Sequence, residues 1–359
     1  MPGSKKFSNH NPSLWAVVLA GGVGSRFWPV STPDRPKQLL PLGSDRPLIA
    51  DTVARIAPLV PLPRLKILTG ESLAEAILEA APDLGRDNLL LEPQARGTAP
   101  VLAWAAHEIV RRDPEAVMIS LHADHVIEPA DDFREQLEEL GNLAAEHDRL
   151  FTIGVEPTRP ETGYGYIRVG APLGPALQVY EVAEFVEKPD RDTALEYLYR
   201  GEYLWNTGIF VWRAATLLDE LRRHTPELSR HLPLLEAGDV EAFFESVPTL
   251  TIDEGLLERS DAVAVARARF RWDDVGTWDA VGRTREKDAH GNVAVGDSHL
   301  VDCRDCIAWA EEGAVVVFGA ADLVVVQSGG TTFVAPRERS ADLKEMLKQL
   351  PDRIRQLER

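Results

Sequence analysis

An apolar run over residues 14–20 (LWAVVLA) leads straight into Gly21, Gly22 and Gly24, followed by Arg26 and, further on, Lys37. Glycine has no Cβ, so backbone N–H groups there can approach phosphate oxygens closely, while the two cations supply charge. The chemistry implied is the holding of a phosphorylated ligand. It is not a Walker loop, because no Gly-Lys-Ser/Thr follows at the required offset. Nor is it a dinucleotide fingerprint: Phe27 stands where a third glycine belongs, and Pro29 interrupts the turn's continuation. A tight turn with surface cations is the plainer alternative.

Residues 117–121 read as a buried strand that ends in His122-Ala-Asp124-His125. Ligands of open α/β sheets bind outside the carboxyl ends of strands, and a carboxylate there suits a hard divalent cation. Asp274, in the Trp272-Asp-Asp-Val-Gly276 turn, is its distant partner; a turn or helix cap is the other reading of either residue. His125 reads equally as a packing residue. Glu187-Lys188 pairs opposite charges after an apolar strand, an arrangement common at surface hairpins. Asn206 lies in an aromatic, apolar stretch, where a buried amide must be satisfied by backbone or by a ligand hydroxyl. Cys303 and Cys306 have metal-like spacing, but no second pair or histidine cluster completes a zinc set, so they read as ordinary thiols.

A scaffold for these groups is visible in the periodicity. Helical spacing over 48–56 stops at Pro58, a strand covers 66–69, and helices cover 73–80 and 99–111. Phe133, Leu137, Leu140 and Ala144 form another stripe, with Asp132 as its expected N-cap. Thr98 similarly reads as a cap for the helix over 99–111. This alternation predicts a parallel α/β sheet covered on both faces. After about residue 286 come short valine-rich runs between Gly, Asp and Ser turns, then one helical stripe over 340–350. They predict a small all-β domain closed by a terminal helix, with Glu311 and Glu312 on a solvated face. The division expected is a flexible segment 1–13, a main domain 14–285 and the β domain 286–359.

Composition narrows the partners. Among 359 residues, 39 Lys+Arg against 57 Asp+Glu give a net charge of −18, which argues against nucleic acid or an anionic membrane. An anionic ligand therefore needs a local basic site. Two cysteines cannot build a disulfide framework and fit a reducing compartment. The polar N-terminus does not read as a signal peptide, and no apolar run nears the ~20 residues of a membrane span. A cytoplasmic protein is expected.

Seven ordered motifs carry a resemblance to the sugar-1-phosphate nucleotidyltransferases, in particular their mannose-1-phosphate guanylyltransferase branch. After the Gly-x-Gly-x-Arg-x-x-Pro…Pro-Lys pattern come Glu92-Pro-Gln-Ala-Arg-Gly-Thr-Ala-Pro100, Ala123-Asp-His125, Thr162-Gly-Tyr-Gly-Tyr-Ile167, Phe185-Val-Glu-Lys-Pro189, Leu204-Trp-Asn-Thr-Gly-Ile-Phe210 and Trp272-Asp-Asp-Val-Gly-Thr-Trp278. His122 departs from the family pattern, which usually has proline there. The resemblance implies a Rossmann-like domain with a mixed, mostly parallel sheet, and a β-helix-like C-terminal domain. It implies GMP transfer from GTP to mannose 1-phosphate, releasing pyrophosphate and GDP-mannose; another sugar 1-phosphate or NTP, or a non-catalytic sugar-nucleotide-binding homologue, are the alternatives. It assigns Ala20, Gly21, Gly22, Gly24, Ser25, Arg96, Gly97 and Thr98 to the nucleotide. Arg26, Lys37 and Lys188 would act on phosphates, Gly165, Glu187 and Asn206 on the sugar, and Asp124 and Asp274 on Mg²⁺. It leaves a homodimer open, and the short C-terminal stretch predicts no isomerase activity.

Overall fold

The computed structural model describes residues 12–22, 25–174 and 178–355. Gly24 and nearly all of the expected segment 1–13 lie outside the described residues. Strand β1 (Leu14–Leu19) leads, and α1 (Leu48–Ile56), β2 (Leu65–Thr69), α2 (Ala74–Ala80), β3 (Leu89–Leu91), α3 (Thr98–Arg112) and β4 (Val117–His122) follow. β1 pairs in parallel with both β2 and β4, and its last residue, Leu19, lies opposite Leu68 and His122. The carboxyl ends of these strands therefore share one line, from which Gly21 and Asp124 emerge. The strands are mostly apolar because both faces are covered, with Lys66, Thr69 and Ser120 as their buried polar residues. One face packs on Ile49, Val53, Ile77, Phe133 and Leu137, the other on Leu102, Ile109, Leu217 and Phe243.

The next elements are β5 (Val126–Glu128), α4 (Ala130–Glu146), β6 (Leu150–Val155), β7 (Tyr166–Pro172), β8 (Val179–Val186), α5 (Arg191–Arg200), β9 (Tyr203–Arg213) and α6 (Ala214–His224). After several short helical turns come β10 (Val263–Arg267), β11 (Arg271–Asp273) and α7 (Trp278–Thr284). The nine-stranded sheet has the order β3-β2-β1-β4-β9-β6-β10-β8-β7, with β9 running antiparallel to both of its neighbours β4 and β6. β5 and β11 form a separate antiparallel ribbon in which Asp273 faces Val126. That register carries Asp274 to the end of β4, beside Asp124.

In the C-terminal region, β12 (Val293–Val295), β14 (Ile307–Ala310) and β16 (Leu323–Ser328) form one parallel ladder. β13 (Ser298–Val301) and β15 (Val315–Phe318) form a second, and β17 (Thr331–Pro336) closes the first by pairing antiparallel with β16. These are stacked coils of a parallel β-helix. β14 (IAWA) carries no valine run; its alanines are buried between the ladders against Val315, Val325 and Leu300.

This domain holds the glycine-rich loop from behind. Phe27, Val30, Leu40 and Leu42, all fully buried, share a core with Trp278, Ile307, Trp309 and Val324. Burial of such a side chain contributes about 1.5–3 kcal/mol. Trp278 Nε1 also donates to the Trp28 carbonyl at 3.1 Å. Arg35 Nη1 meets Glu311 Oε1 at 2.6 Å, so Glu311 is an anchor for this loop and not part of a solvated face. Two further expectations shift. α4 starts after Pro129, which places Asp132 in its first turn beside Asp131, where both favour the helix dipole without capping it. The residues over 340–350 form a 3₁₀ segment (Arg337–Asp342) and a short helix (Leu343–Leu347), not one continuous helix. No helix among the described residues is long and apolar enough to cross a membrane.

Candidate active site

Two cavities open at the carboxyl ends of β1 and β4, and Leu19, Thr98 and His122 line both. Asp124 borders the first and Asp274 the second. Lys37 lies between these aspartates: Nζ donates to Asp124 Oδ2 at 2.8 Å and to the Asp274 carbonyl. Burial would raise the Asp124 carboxyl, but Lys37, His125 and His122 together hold it well below the ordinary carboxylate range. Asp274 is pushed up by its burial. Its Oδ1 accepts from the Tyr164 hydroxyl and, at 3.1 Å, from the Gly276 N–H. Val275, at φ 47°, has its side chain fully buried, and its N–H donates to Asp273 Oδ1 at 2.8 Å. A β-branched residue in that region is strained and is held there by its surroundings. The turn thus fixes where the Asp274 carboxylate points.

Asp124 meets Lys37 through its carboxylate and Asp274 through its backbone carbonyl, and both side chains offer the carboxylate oxygens that a hard divalent ion such as Mg²⁺ takes. His122, Asp124 and His125 also lie close enough together to suggest a three-ligand site. Hydrogen bonding argues otherwise. Trp272 Nε1, which can only donate, bonds to His125 Nδ1 at 3.1 Å. The neutral ring then carries its proton on Nε2, the atom facing Asp124 Oδ1 at 3.9 Å, and has no lone pair to offer there. Burial and the neighbouring His122 keep His125 neutral. His125 is a packing and orienting residue.

The first cavity is lined by Ala20, Gly21, Gly22, Gly97 and Thr98, with Glu92 at its edge. Gly21 and Gly22 are exposed, as a backbone cradle requires. Ala20 forms wall only, because its N–H donates to the Leu68 carbonyl and its own carbonyl accepts from Gln38 and Thr69. Ser25 begins a 3₁₀ turn with Arg26, whose guanidinium is exposed and donates to the Gly276 carbonyl at 3.3 Å. Gly97, at φ 83°, lies where a Cβ would be 2.4 Å from the Leu250 carbonyl oxygen. It is also the N-cap of α3. Thr98 is therefore not the cap: it is the first helical residue, and its Oγ1 accepts from the Ile252 N–H at 2.8 Å. Arg96 points away toward the Phe244 carbonyl, to which Nε donates at 2.8 Å.

The second cavity contains Tyr164, Gly165, Glu187, Lys188, Asn206 and Asp253. A Cβ on Gly165 would lie 2.6 Å from Glu187 Oε2, so the glycine makes room for that carboxylate. Lys188 pairs with Glu187, remains largely exposed, and sits at φ 47°. Asn206 Oδ1 accepts from Thr152 Oγ1 at 2.9 Å and from the Gly208 N–H at 3.3 Å, while Nδ2 donates to Asp253 Oδ1 at 2.9 Å.

Sequence reasoning missed two carboxylates. Glu92 opens one of the seven motifs but receives no role from it; its Oε1 would be 3.1 Å from a Cβ on Gly21, and burial raises its pKa. Asp253 carries no local signal, since only the fold brings residue 253 to β9.

A family model described as nucleotidyl transferase matches residues 15–291, and one described as a MannoseP isomerase/GMP-like beta-helix domain matches 296–350. The mannose-1-phosphate guanylyltransferase of Klebsiella pneumoniae is 35% identical over 351 residues, which span 94% of this chain and 74% of the relative. The alginate biosynthesis protein AlgA of Pseudomonas aeruginosa is 36% identical over 345 residues, 93% of this chain and 71% of the relative. A crystal structure from Thermus thermophilus, described as a mannose-1-phosphate geranyltransferase, superposes with a TM-score of 0.86 at 37% identity, covering 94% of this chain and 99% of that one. The chain belongs to the nucleotidyltransferase family, in the group of the mannose-1-phosphate guanylyltransferases.

Proposed function

We propose that the chain transfers GMP from GTP to α-D-mannose 1-phosphate, giving GDP-mannose and pyrophosphate. The observation that carries this reading is the pair of cavities meeting at Leu19, Thr98 and His122, with one aspartate at the edge of each. A nucleotide in the first and a hexose in the second bring their phosphates together at that seam. A phosphate oxygen of the sugar, already anionic, attacks the α-phosphorus; the bond to the β-phosphate bridging oxygen breaks and pyrophosphate leaves. No base is needed to create the nucleophile. The protein's task is alignment and neutralisation of charge.

Lys37 is buried at the seam and faces the α-phosphate, Arg26 reaches the outer phosphates over the glycine turn, and Lys188 holds the sugar phosphate. Nucleotidyltransferases of this family generally work with a divalent metal. Mg²⁺ held by Asp124 and Asp274 would supply further positive charge to the phosphates when bound. Guanine presents two adjacent donors, N1–H and the 2-amino group, and Glu92 offers acceptors on the wall of the nucleotide cavity. Glu187 and Asn206 read the hexose. A pyrophosphate-release screen across four NTPs and several sugar 1-phosphates tests this. GTP with mannose 1-phosphate should give the highest turnover; a different best pair would move the chain to another substrate class.

A further inference from the structure

The sugar cavity contains more acceptor capacity than the residues so far assigned to it. Both lone pairs of Asn206 Oδ1 are engaged by Thr152 and the Gly208 N–H, and one amide hydrogen goes to Asp253. At most one N–H of Asn206 is left for a ligand, so this amide can donate but not accept. Acceptors must come from elsewhere. Of the three carboxylates lining the cavity, Asp274 accepts from Tyr164 and Gly276 at the seam, which leaves Glu187 and Asp253.

Asp253 is held in place from several sides. It begins a π-helical turn, Asp253–Leu257, an element often found at functional sites. The preceding residue is tied to the nucleotide loop through Ile252 N–H to Thr98 Oγ1. Leu250 exchanges backbone hydrogen bonds with that loop, donating to the Arg96 carbonyl at 2.9 Å and accepting from the Ala99 N–H at 3.1 Å. The Thr225 hydroxyl donates to the Gly255 carbonyl at 2.6 Å. Burial and the nearby Glu187 push the Asp253 carboxyl up to about 7, with Lys188 acting in the opposite direction. Two carboxylates sharing a cavity repel each other unless hydroxyl donors lie between them.

We propose that Asp253 is a specificity-determining residue that accepts hydrogen bonds from hexose hydroxyls, working with Glu187 across the same cavity. The proposal rests on the second cavity being the sugar site. The partner chemistry is a pyranose 1-phosphate with at least two free hydroxyls on the face turned from its phosphate. A residue that only positions Asn206 would not contact the sugar at all.

The test uses the full chain with GTP and Mg²⁺, comparing Asp253→Asn, Asn206→Ala, their double variant and Glu187→Gln. Asp253→Asn should raise the KM for mannose 1-phosphate about tenfold or more, the loss expected for a hydrogen bond to a charged acceptor. It should leave the KM for GTP within about twofold and change the ratio of mannose to glucose 1-phosphate turnover. The double variant should be worse than either single one. If it equals Asn206→Ala, Asp253 acts only through Asn206 and the proposal is overturned. Asp253→Ser is the second variant should Asp253→Asn melt early; unchanged sugar KM in a folded variant overturns the proposal as well. If Glu187→Gln also leaves sugar use untouched, the sugar-site reading itself fails; if only Glu187→Gln impairs it, that reading stands and Asp253 alone is excluded.

Discussion

The two ends of the site are built differently. At the nucleotide end the lining is rich in backbone and small residues, Gly21, Gly22, Gly97 and Thr98, with Glu92 on the wall and Asp124 at the seam. At the sugar end it is side-chain functional groups drawn from β9 and from the segments next to β7, β8 and β11. A triphosphate is common to all NTPs, and backbone N–H groups suit it without regard to the base. A hexose differs from its epimers only in hydroxyl orientation, and only placed donors and acceptors can read that. On the proposed assignment, backbone groups hold what all NTPs share, while side chains, Glu92 at one end and Glu187 with its neighbours at the other, select the base and the sugar.

The seam should be the most sensitive place, because it serves both ends. Asp274→Asn is expected to lower kcat roughly a thousandfold, the scale of losing preorganised charge stabilisation. It is a cleaner probe than Asp124→Asn, since Lys37 contacts the backbone carbonyl of Asp274 but the carboxylate of Asp124. Thermal melting beside turnover separates the two effects, and EDTA should stop turnover of the wild type. Next comes Lys37→Ala, which leaves Asp124 without its cation; about a hundredfold loss is expected. Equal turnover in wild type and Lys37→Ala would detach the glycine-rich region from the chemistry.

The ends themselves should separate by substrate. Glu187→Gln should impair mannose 1-phosphate use about tenfold and shift the mannose-to-glucose ratio while GTP affinity holds. Glu92→Gln should do the converse, cutting the preference for GTP over ITP about tenfold, the lower range for one good bidentate base contact. ITP lacks the 2-amino group, so an unchanged ratio would remove Glu92 from base reading. If both variants affect both substrates equally, the contrast between the two ends is wrong.

The same contrast explains what could be read from the chain. Part of the nucleotide end is contiguous, a strand, a glycine turn, then Arg26 and Lys37, so that part of its chemistry is local in sequence. The helices and the central strands were legible for the same reason, as 3.6-residue stripes and apolar runs. Asp253 was not, because its place beside Asn206 depends on β9 running antiparallel next to β4 and on the ties from residues 250–252 to the Arg96–Thr98 loop. Nor was Glu311, whose partner Arg35 is 276 residues away. The proton position on His125 needed Trp272, brought over by the β5–β11 ribbon. Local chemistry can be read from spacing, whereas pairing across the fold requires topology.

The smallest effect should come from the hold of the β-helix on the phosphate loop. Arg35 and Glu311 meet at 2.6 Å, with side chains 32% and 16% exposed, one residue from the Pro36-Lys37 turn. Most of that hold is apolar, through Phe27, Trp28, Leu40 and Leu42 against Trp278, Trp309 and Phe333. Arg35→Ala therefore removes one partly solvated ion pair from an otherwise intact contact, a loss of about 0.5–1 kcal/mol. The KM for GTP should rise no more than about fivefold and the KM for mannose 1-phosphate should not move, since about 0.5–1 kcal/mol corresponds to a factor of roughly two to five. High salt should shrink the GTP effect further, because screening weakens what remains of an exposed pair in the wild type. A Phe27→Ala comparison sharpens the point: a fully buried aromatic lost from this core costs about 3–5 kcal/mol and should lower melting temperature and GTP use together. If Arg35→Ala disturbed the sugar KM instead, the loop would be coupled to the far cavity, and the two ends could not be treated as separate parts.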